Sequence, residues 1–225
     1  MNVIKPGYEI LTPIDGAEIL KHIERIGRVC YKSEDKITDG SAEKFVAMLI
    51  KRGHEAMIEH YSFSVKFIVD RGVSHEIVRH RVASFAQEST RYCNYGNSDN
   101  GCTFIQPYFW DPNFAYYTVD HCEGGQFVDE CYEHWYTAMH DAEKRYLSLI
   151  NNGATPQQAR SVLPNSLKTE VVMTANLREW RHFLRLRTDR TAHPQMREVT
   201  VPLLAELKTL ILVIFDDIQS DKEES

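Results

Sequence analysis

Positive charge is in short supply in this chain: 26 Lys and Arg face 32 Asp and Glu across 225 residues, for a formal net charge of −6. That balance argues against a polymeric nucleic acid as partner, because duplex binding relies on extended basic stripes that release counterions. Long apolar runs are also lacking. The longest near the C-terminus, residues 210–215, is far too short to cross a bilayer and is followed by Asp216-Asp217. No basic-then-apolar leader is visible, so the expectation is a cytoplasmic protein with no membrane partner. Cysteine is sparse and irregular: Cys30, Cys93, Cys102, Cys122 and Cys131 are odd in number and form no Cys-x-x-Cys pair, which points to reduced thiols. No glycine-rich Rossmann fingerprint occurs. What remains is ordinary for a folded chain, 43% hydrophobic and 26% charged, and its length suits one large domain. A single catalytic domain over residues 1–225 is expected, with a frayed acidic tail from about 216.

Metal-binding patterns are weak. His54 and His60 are six apart and His75 and His80 five apart, whereas a helix brings two rings to one ion at a spacing of four. No metal is expected.

Against the acidic background, Arg79-His80-Arg81 and Ser89-Thr90-Arg91 fall within one short stretch. Guanidinium groups offer a planar fork of donors that matches phosphate or carboxylate two bonds at a time, and hydroxyls and backbone amides complete an oxygen shell. The stretch is therefore an expected cradle for a compact anion.

Periodicity organises the rest. Residues 2–13 alternate as an extended entry strand; Asp15 caps a helix carrying Ile19, Ile23 and Ile26; a second helix runs from Ser41 to Gly53. Residues 61–69 alternate as a half-buried strand, and a short helix over residues 73–81 delivers the anion loop. Residues 94–101 read as a hairpin or mobile loop. One long amphipathic helix is expected over residues 126–150, with Val128, Cys131, Trp135, Ala138, Ala142 and Leu149 on its stripe. Pro156 opens a short helix bearing Arg160, and residues 169–174 read as a strand. In residues 176–187, Arg178, Arg181, His182 and Arg185 share one helical face, with Leu177, Trp180, Phe183 and Leu184 on the other. Arg187 falls on the apolar side, where a guanidinium needs an anionic or strongly polar partner unless the helix has ended at Leu186. A last helix follows His193-Pro194-Gln195, with an apolar stripe of Leu203, Leu204, Leu207, Leu210, Ile211 and Ile214 broad enough for subunit packing.

The pattern Arg79-His80-Arg81, seven residues, Ser89, one residue, Arg91 resembles the signature of the flavin-dependent thymidylate synthases. Gly53-His54-Glu55, Arg160-Ser161-Val162-Leu163-Pro164 and Leu186-Arg187 resemble further segments of that family in the same order. The resemblance implies an α+β fold with a central antiparallel sheet flanked by helices, and a homotetramer with shared active sites. It implies conversion of dUMP to dTMP, with methylenetetrahydrofolate as carbon donor, FAD as redox carrier and NADPH as hydride source. Position by position, Glu76, Ile77, Val78, Arg79, Gln87, Glu88, Ser89, Thr90, Arg91, Arg160 and Arg187 would hold dUMP. His54, Ala56, Arg79, His80, Arg81, Gln87, Asn176, Arg178 and His182 would hold FAD, through side chains rather than a Rossmann turn. Arg187 matches the catalytic arginine, aimed at the pyrimidine N3/O4 edge. Gln87 stands where some members have glutamate, Ala56 where others have threonine, and His182 where they have asparagine. None of the five cysteines lies in the matched catalytic segment, so no protein nucleophile on the uracil is expected. The competing expectation is a non-enzymatic nucleotide- or RNA-binding module using the same Arg/His cluster.

Overall fold

The computed structural model describes residues 1–97, 101–109 and 130–220. In chain order the strands and α-helices are β1 (Asn2–Ile4), β2 (Gly7–Ile10), α1 (Gly16–Val29), α2 (Ser41–Lys51), β3 (Ser62–Asp70), α3 (Arg71–Ile77), β4 (Ser84–Gln87), β5 (Thr103–Ile105), α4 (Glu130–Asn151), α5 (Pro156–Ala159), β6 (Lys168–Asn176), α6 (Leu177–Thr188) and α7 (Pro194–Leu210). Helix and antiparallel sheet are mixed as expected. The chain forms two compact units from interleaved segments, Met1–Gly7 with Ile68–Ile77 and Gln87–Val171, and Tyr8–Phe67 with Val78–Ala86 and Val172–Ser225.

In the first unit β1 pairs in parallel with β5, Asn2 opposite Thr103 and Ile4 opposite Ile105. The expected entry strand is thus two strands, broken at Lys5-Pro6, where proline has no N–H to donate to a ladder. Nor does β5 close a hairpin after residues 94–97: its partner is β1, and residues 98–100 lie outside the described residues. The core is aromatic. Tyr132, Trp135, Tyr136, Met139 and Tyr146 of α4 pack on Phe104, Ala159 and Leu167. Trp135 is buried as expected, but the spacing corrects the rest of the stripe, since Cys131, Ala138 and Leu149 are exposed; Val128, with residues 126–127 and 129, lies outside the described residues. Tyrosine and tryptophan bury ring area while keeping a polar tip satisfied, as when Trp135 Nε1 donates to Ser166 Oγ at 3.1 Å. Asp70 Oδ1 accepts from the Val73 amide at 2.6 Å and starts α3, which ends at Ile77, four residues short of expectation.

The second unit carries most of the four-stranded sheet, in order β2-β3-β6-β4. Period-2 alternation puts Phe63, Val65 and Phe67 of β3, and Met173 and Ala175 of β6, inside. β4 corrects the expectation of an anion loop, because the middle of that stretch is a strand. α6 lays Trp180 flat on Phe63, ring centroids 4.8 Å apart, with Phe183 against Phe67 at 5.8 Å. Each such buried ring contributes roughly 1.5–3 kcal/mol. Asn176 caps α6 by accepting from the Glu179 amide at 2.9 Å, and Asp15 caps α1 by accepting from the Glu18 amide at 3.1 Å. α2 ends as expected before Gly53, whose φ of +68° favours glycine. A side chain at Gly16 would put Cβ 2.1 Å from the Leu210 carbonyl oxygen, so α1 starts against the backbone that ends α7. Ile211 and Ile214 are buried from turns, not from the helix, which stops at Leu210.

Arg178, Arg181 and Arg185 share one face of α6 as expected, all three reaching Glu55, but Arg181 is fully buried there. It binds Glu55 at 3.1 Å, both carboxylate oxygens of Asp217 at 2.7 and 2.9 Å, and the Ile214 carbonyl. Within the segment expected to fray, Asp217 is held by Arg181 and, at 2.8 Å, by Arg185. Residues 221–225 lie outside the described residues. Among the described residues, no helix is long and apolar enough to cross a membrane.

Candidate active site

α6 continues through Thr188, so Arg187 does not turn away at a helix end. Its Nε donates to His80 Nε2 at 3.1 Å, which supplies the strongly polar partner its apolar-side position demands. His80 is buried, 5% exposed, and packs edge-on against Phe183 at 4.8 Å and His182 at 5.6 Å. Its Nδ1 lies 3.3 Å from Glu179 Oε1. Burial, then the Arg187 charge, then His182 push the imidazole down to about 4, so it is neutral near neutral pH. Burial raises the Glu179 carboxyl, opposed by His182. In the Arg-His-Arg triplet, then, the middle residue is interior and Arg79 and Arg81 stand exposed on either side.

His80, Glu179 and His182 each place a possible metal-ligating atom within 4.8 Å of the others. Arg187 bears its positive charge on this group and occupies His80 Nε2. A cation there would meet that charge, which disfavours a metal.

Five flavin candidates of this unit divide between two cavities, while Arg79, His80 and Arg81 line neither. Asn176, Arg178 and His182 line one of about 560 Å³ with Glu55, Glu59 and Arg185. His54 and Ala56 line another of about 610 Å³ with Tyr31, Lys36, Arg52 and Met57. Guanidinium, imidazole and amide groups suit cofactor oxygens, and Tyr31 and Met57 offer apolar surface to rings. Arg178 meets Glu59 at 2.5 Å, but both are exposed, and such pairs contribute little and exchange readily for a ligand oxygen. A cavity of about 630 Å³ beside the start of α1 holds none of the expected site residues.

In the other unit the cradle residues are held from afar. Arg160 donates to Thr90 Oγ1 at 3.2 Å, and Arg91 Nε donates to Gln157 Oε1 at 3.0 Å, so α5 and the short turn after it bring Arg160 to the Ser89-Thr90-Arg91 turn. Ser89 Oγ accepts from the Arg91 amide at 3.3 Å. Gln87 donates to Ser74 Oγ at 2.9 Å and to Thr169 Oγ1 at 3.3 Å. Glu88 accepts from Tyr95 at 2.8 Å and from Lys168 at 2.9 Å, so its charge is matched; burial and Glu88 raise the Tyr95 hydroxyl well above its ordinary range. Ile77 is fully buried, which leaves only its backbone to meet a ligand, and Glu76 is half-buried, as is Val78 in the unit that carries α6.

Sequence reasoning missed Glu179, Lys168, Tyr95 and the Glu55–Arg181 pair. Glu179 had a signal, but a misleading one. Asn176-x-x-Glu179 is the spacing of a capping box, and the structure gives the carboxylate to His80 instead.

A mixed helix-and-sheet scaffold thus organises arginine, histidine and amide groups into polar sites suited to anionic oxygens. The chain matches the thymidylate synthase complementing protein family over residues 14–211, and it belongs to that family, the flavin-dependent thymidylate synthases. The flavin-dependent thymidylate synthase of Corynebacterium efficiens is 32% identical over 92% of this chain and 82% of its own length. That of Pyrococcus furiosus is 32% identical over 78% of this chain, which spans 66% of that relative. The fold is similar to that of PolB from Streptomyces cacaoi, a UMP/dUMP methylase solved with 5-Br dUMP, at a TM-score of 0.75, 24% identity, and coverage of 96% of this chain and 95% of the other.

Proposed function

We propose that this chain methylates dUMP reductively to dTMP, taking the carbon from methylenetetrahydrofolate and the hydride from NADPH by way of FAD, as one catalytic domain within a cytoplasmic homotetramer. The observation that carries the proposal is the held Arg187, a guanidinium fixed at Nε by a buried neutral imidazole on a helix whose other face carries Arg178 and His182. Bound FAD supplies the hydride carrier. Asn176, Arg178, His182, His54, Ala56 and the exposed Arg79 and Arg81 would hold it, with His80 and Gln87 contributing from positions already engaged within the protein.

For dUMP, Arg91, Arg160, Ser89 and Thr90 offer the donors that a monophosphate needs. Glu76, Ile77, Val78, Arg79, Gln87 and Glu88 complete that assignment. Arg187 would address the N3/O4 edge of the uracil, where negative charge develops as C5 becomes nucleophilic, and a dry pocket strengthens that interaction. The described thiols support a route without a protein nucleophile. Cys102 is buried and its thiol is pushed up to about 12 by burial and Glu143, and Cys30, Cys93 and Cys131 lie outside the matched segments. Ser89 has an amide donor beside it, not a base.

The test is anaerobic. Purified protein supplied with FAD, NADPH, methylenetetrahydrofolate and dUMP should bleach its flavin absorbance and yield dTMP by chromatography. Bleaching without a methylated pyrimidine, or neither, would refute the proposal.

A further inference from the structure

Glu179, His80 and Arg187 admit one arrangement of hydrogens. A guanidinium Nε–H only donates, so His80 Nε2, 3.1 Å away, must be a bare acceptor. The single N–H of the neutral ring is then on Nδ1, directed at Glu179 Oε1 at 3.3 Å, and an ionised carboxylate only accepts. The ring cannot easily turn away, being buried and packed edge-on against Phe183 and His182. The other end of the relay is equally fixed: Glu179 is 9% exposed, and its backbone amide is tied to the Asn176 cap.

An arginine side chain has four rotatable bonds, and fixing Nε sets the plane of the guanidinium and the direction of its fork. The Arg187 carbonyl is meanwhile held by Thr200 Oγ1 at 2.8 Å, so both the backbone and the head of the residue are pinned. A carboxylate placed directly on Nε would orient the head too, but would add negative charge where the reaction needs positive. A neutral imidazole orients it without adding charge, and the carboxylate stands one ring further back.

We propose that Glu179 is a positioning residue: by keeping His80 in its Nδ1–H tautomer it makes Nε2 the acceptor that aims Arg187. Glu179 acquires this role in turnover only on the assignment of Arg187 to the uracil made above. Without the carboxylate, the ring is free to carry its proton on Nε2, where it would oppose the Arg187 N–H and release the head.

The experiment labels histidine with ¹⁵N and reads the tautomer of His80 by NMR in the wild-type protein without substrate, then in Glu179→Leu and Glu179→Gln. The wild-type ring should be Nδ1–H, with Nε2 bare. Glu179→Leu should shift the ring toward Nε2–H and lower kcat about tenfold to a hundredfold, the size of a small misplacement of a reacting group, with KM for dUMP changing much less. Glu179→Gln keeps an oxygen to accept from Nδ1 and should recover most of the loss. An Nε2–H ring in the wild type, or a Glu179→Leu enzyme with wild-type kcat, would overturn the proposal, and the first result needs no variant to fold. Full turnover in Arg187→Ala would instead remove Arg187 from the uracil and with it the relay's part in turnover, whatever the tautomer.

Discussion

Acid should unfold this protein partly through His80. The imidazole is held down to about 4 in the fold against an ordinary value near 6.5, so on acidification the unfolded chain takes up its proton first. Stability from this group is therefore complete above about pH 6.5 and is lost as the pH falls toward 4, below which both states are protonated. Integrated from about pH 7 to about pH 4.5, the loss is about 2–3 kcal/mol for this one ring. Glu179 acts in the opposite sense, since a raised carboxyl binds its proton sooner in the fold, but it is common to the wild type and a His80→Gln variant and largely cancels between them. The assay is the urea midpoint of both proteins across that range. With a slope of roughly 2–3 kcal/mol per molar, the wild-type midpoint should fall by about 1 M more than that of the variant. Parallel curves would refute the reasoning, because they would mean that His80 protonates in the fold as easily as outside it and is not held by Arg187.

Arg181→Met should lower the urea-derived stability by about 3 kcal/mol, the scale for breaking a buried ion pair, and Asp217→Ala by less because Asp217 is half exposed and the Glu55 contact remains. Gly16→Ala should cost roughly 1–3 kcal/mol in thermal unfolding, because its Cβ would meet the Leu210 carbonyl oxygen, whereas Gly7→Ala, with open space around it, should change little. Arg160→Ala should weaken dUMP binding by about 1.5–3 kcal/mol in calorimetry, the range for a hydrogen bond to a charged group, while the flavin absorbance stays as in the wild type. Equal loss of flavin in that variant would remove Arg160 from a phosphate role.

Much of the fold was legible because local chemistry and tertiary outcome agree. Alternation in β3, the Asp15 cap and the stop before Gly53 each need only neighbours in sequence. The α4 stripe held at Trp135 but missed Tyr132, Tyr136 and Tyr146, whose hydroxyls hide them from a count of apolar residues although their rings are buried. The burial of Arg181 escaped for a different reason. A helical wheel sorts charge outward, and it carries no information about two acids, Glu55 and Asp217, that arrive from 126 positions earlier and 36 later to satisfy a buried guanidinium.

The sequence by itself determined the family, the clustering of arginine and histidine, and Arg187 as a cation on an apolar face in want of a partner. Those properties follow from residue type and spacing, which are written in one dimension. Only the tertiary structure decided that the partner is His80, that Glu179 stands behind it, and that Arg160 reaches Thr90 across 70 positions. Hydrogen-bond partners distant in sequence are chosen by how packed elements meet, and neither a period nor a motif records that choice.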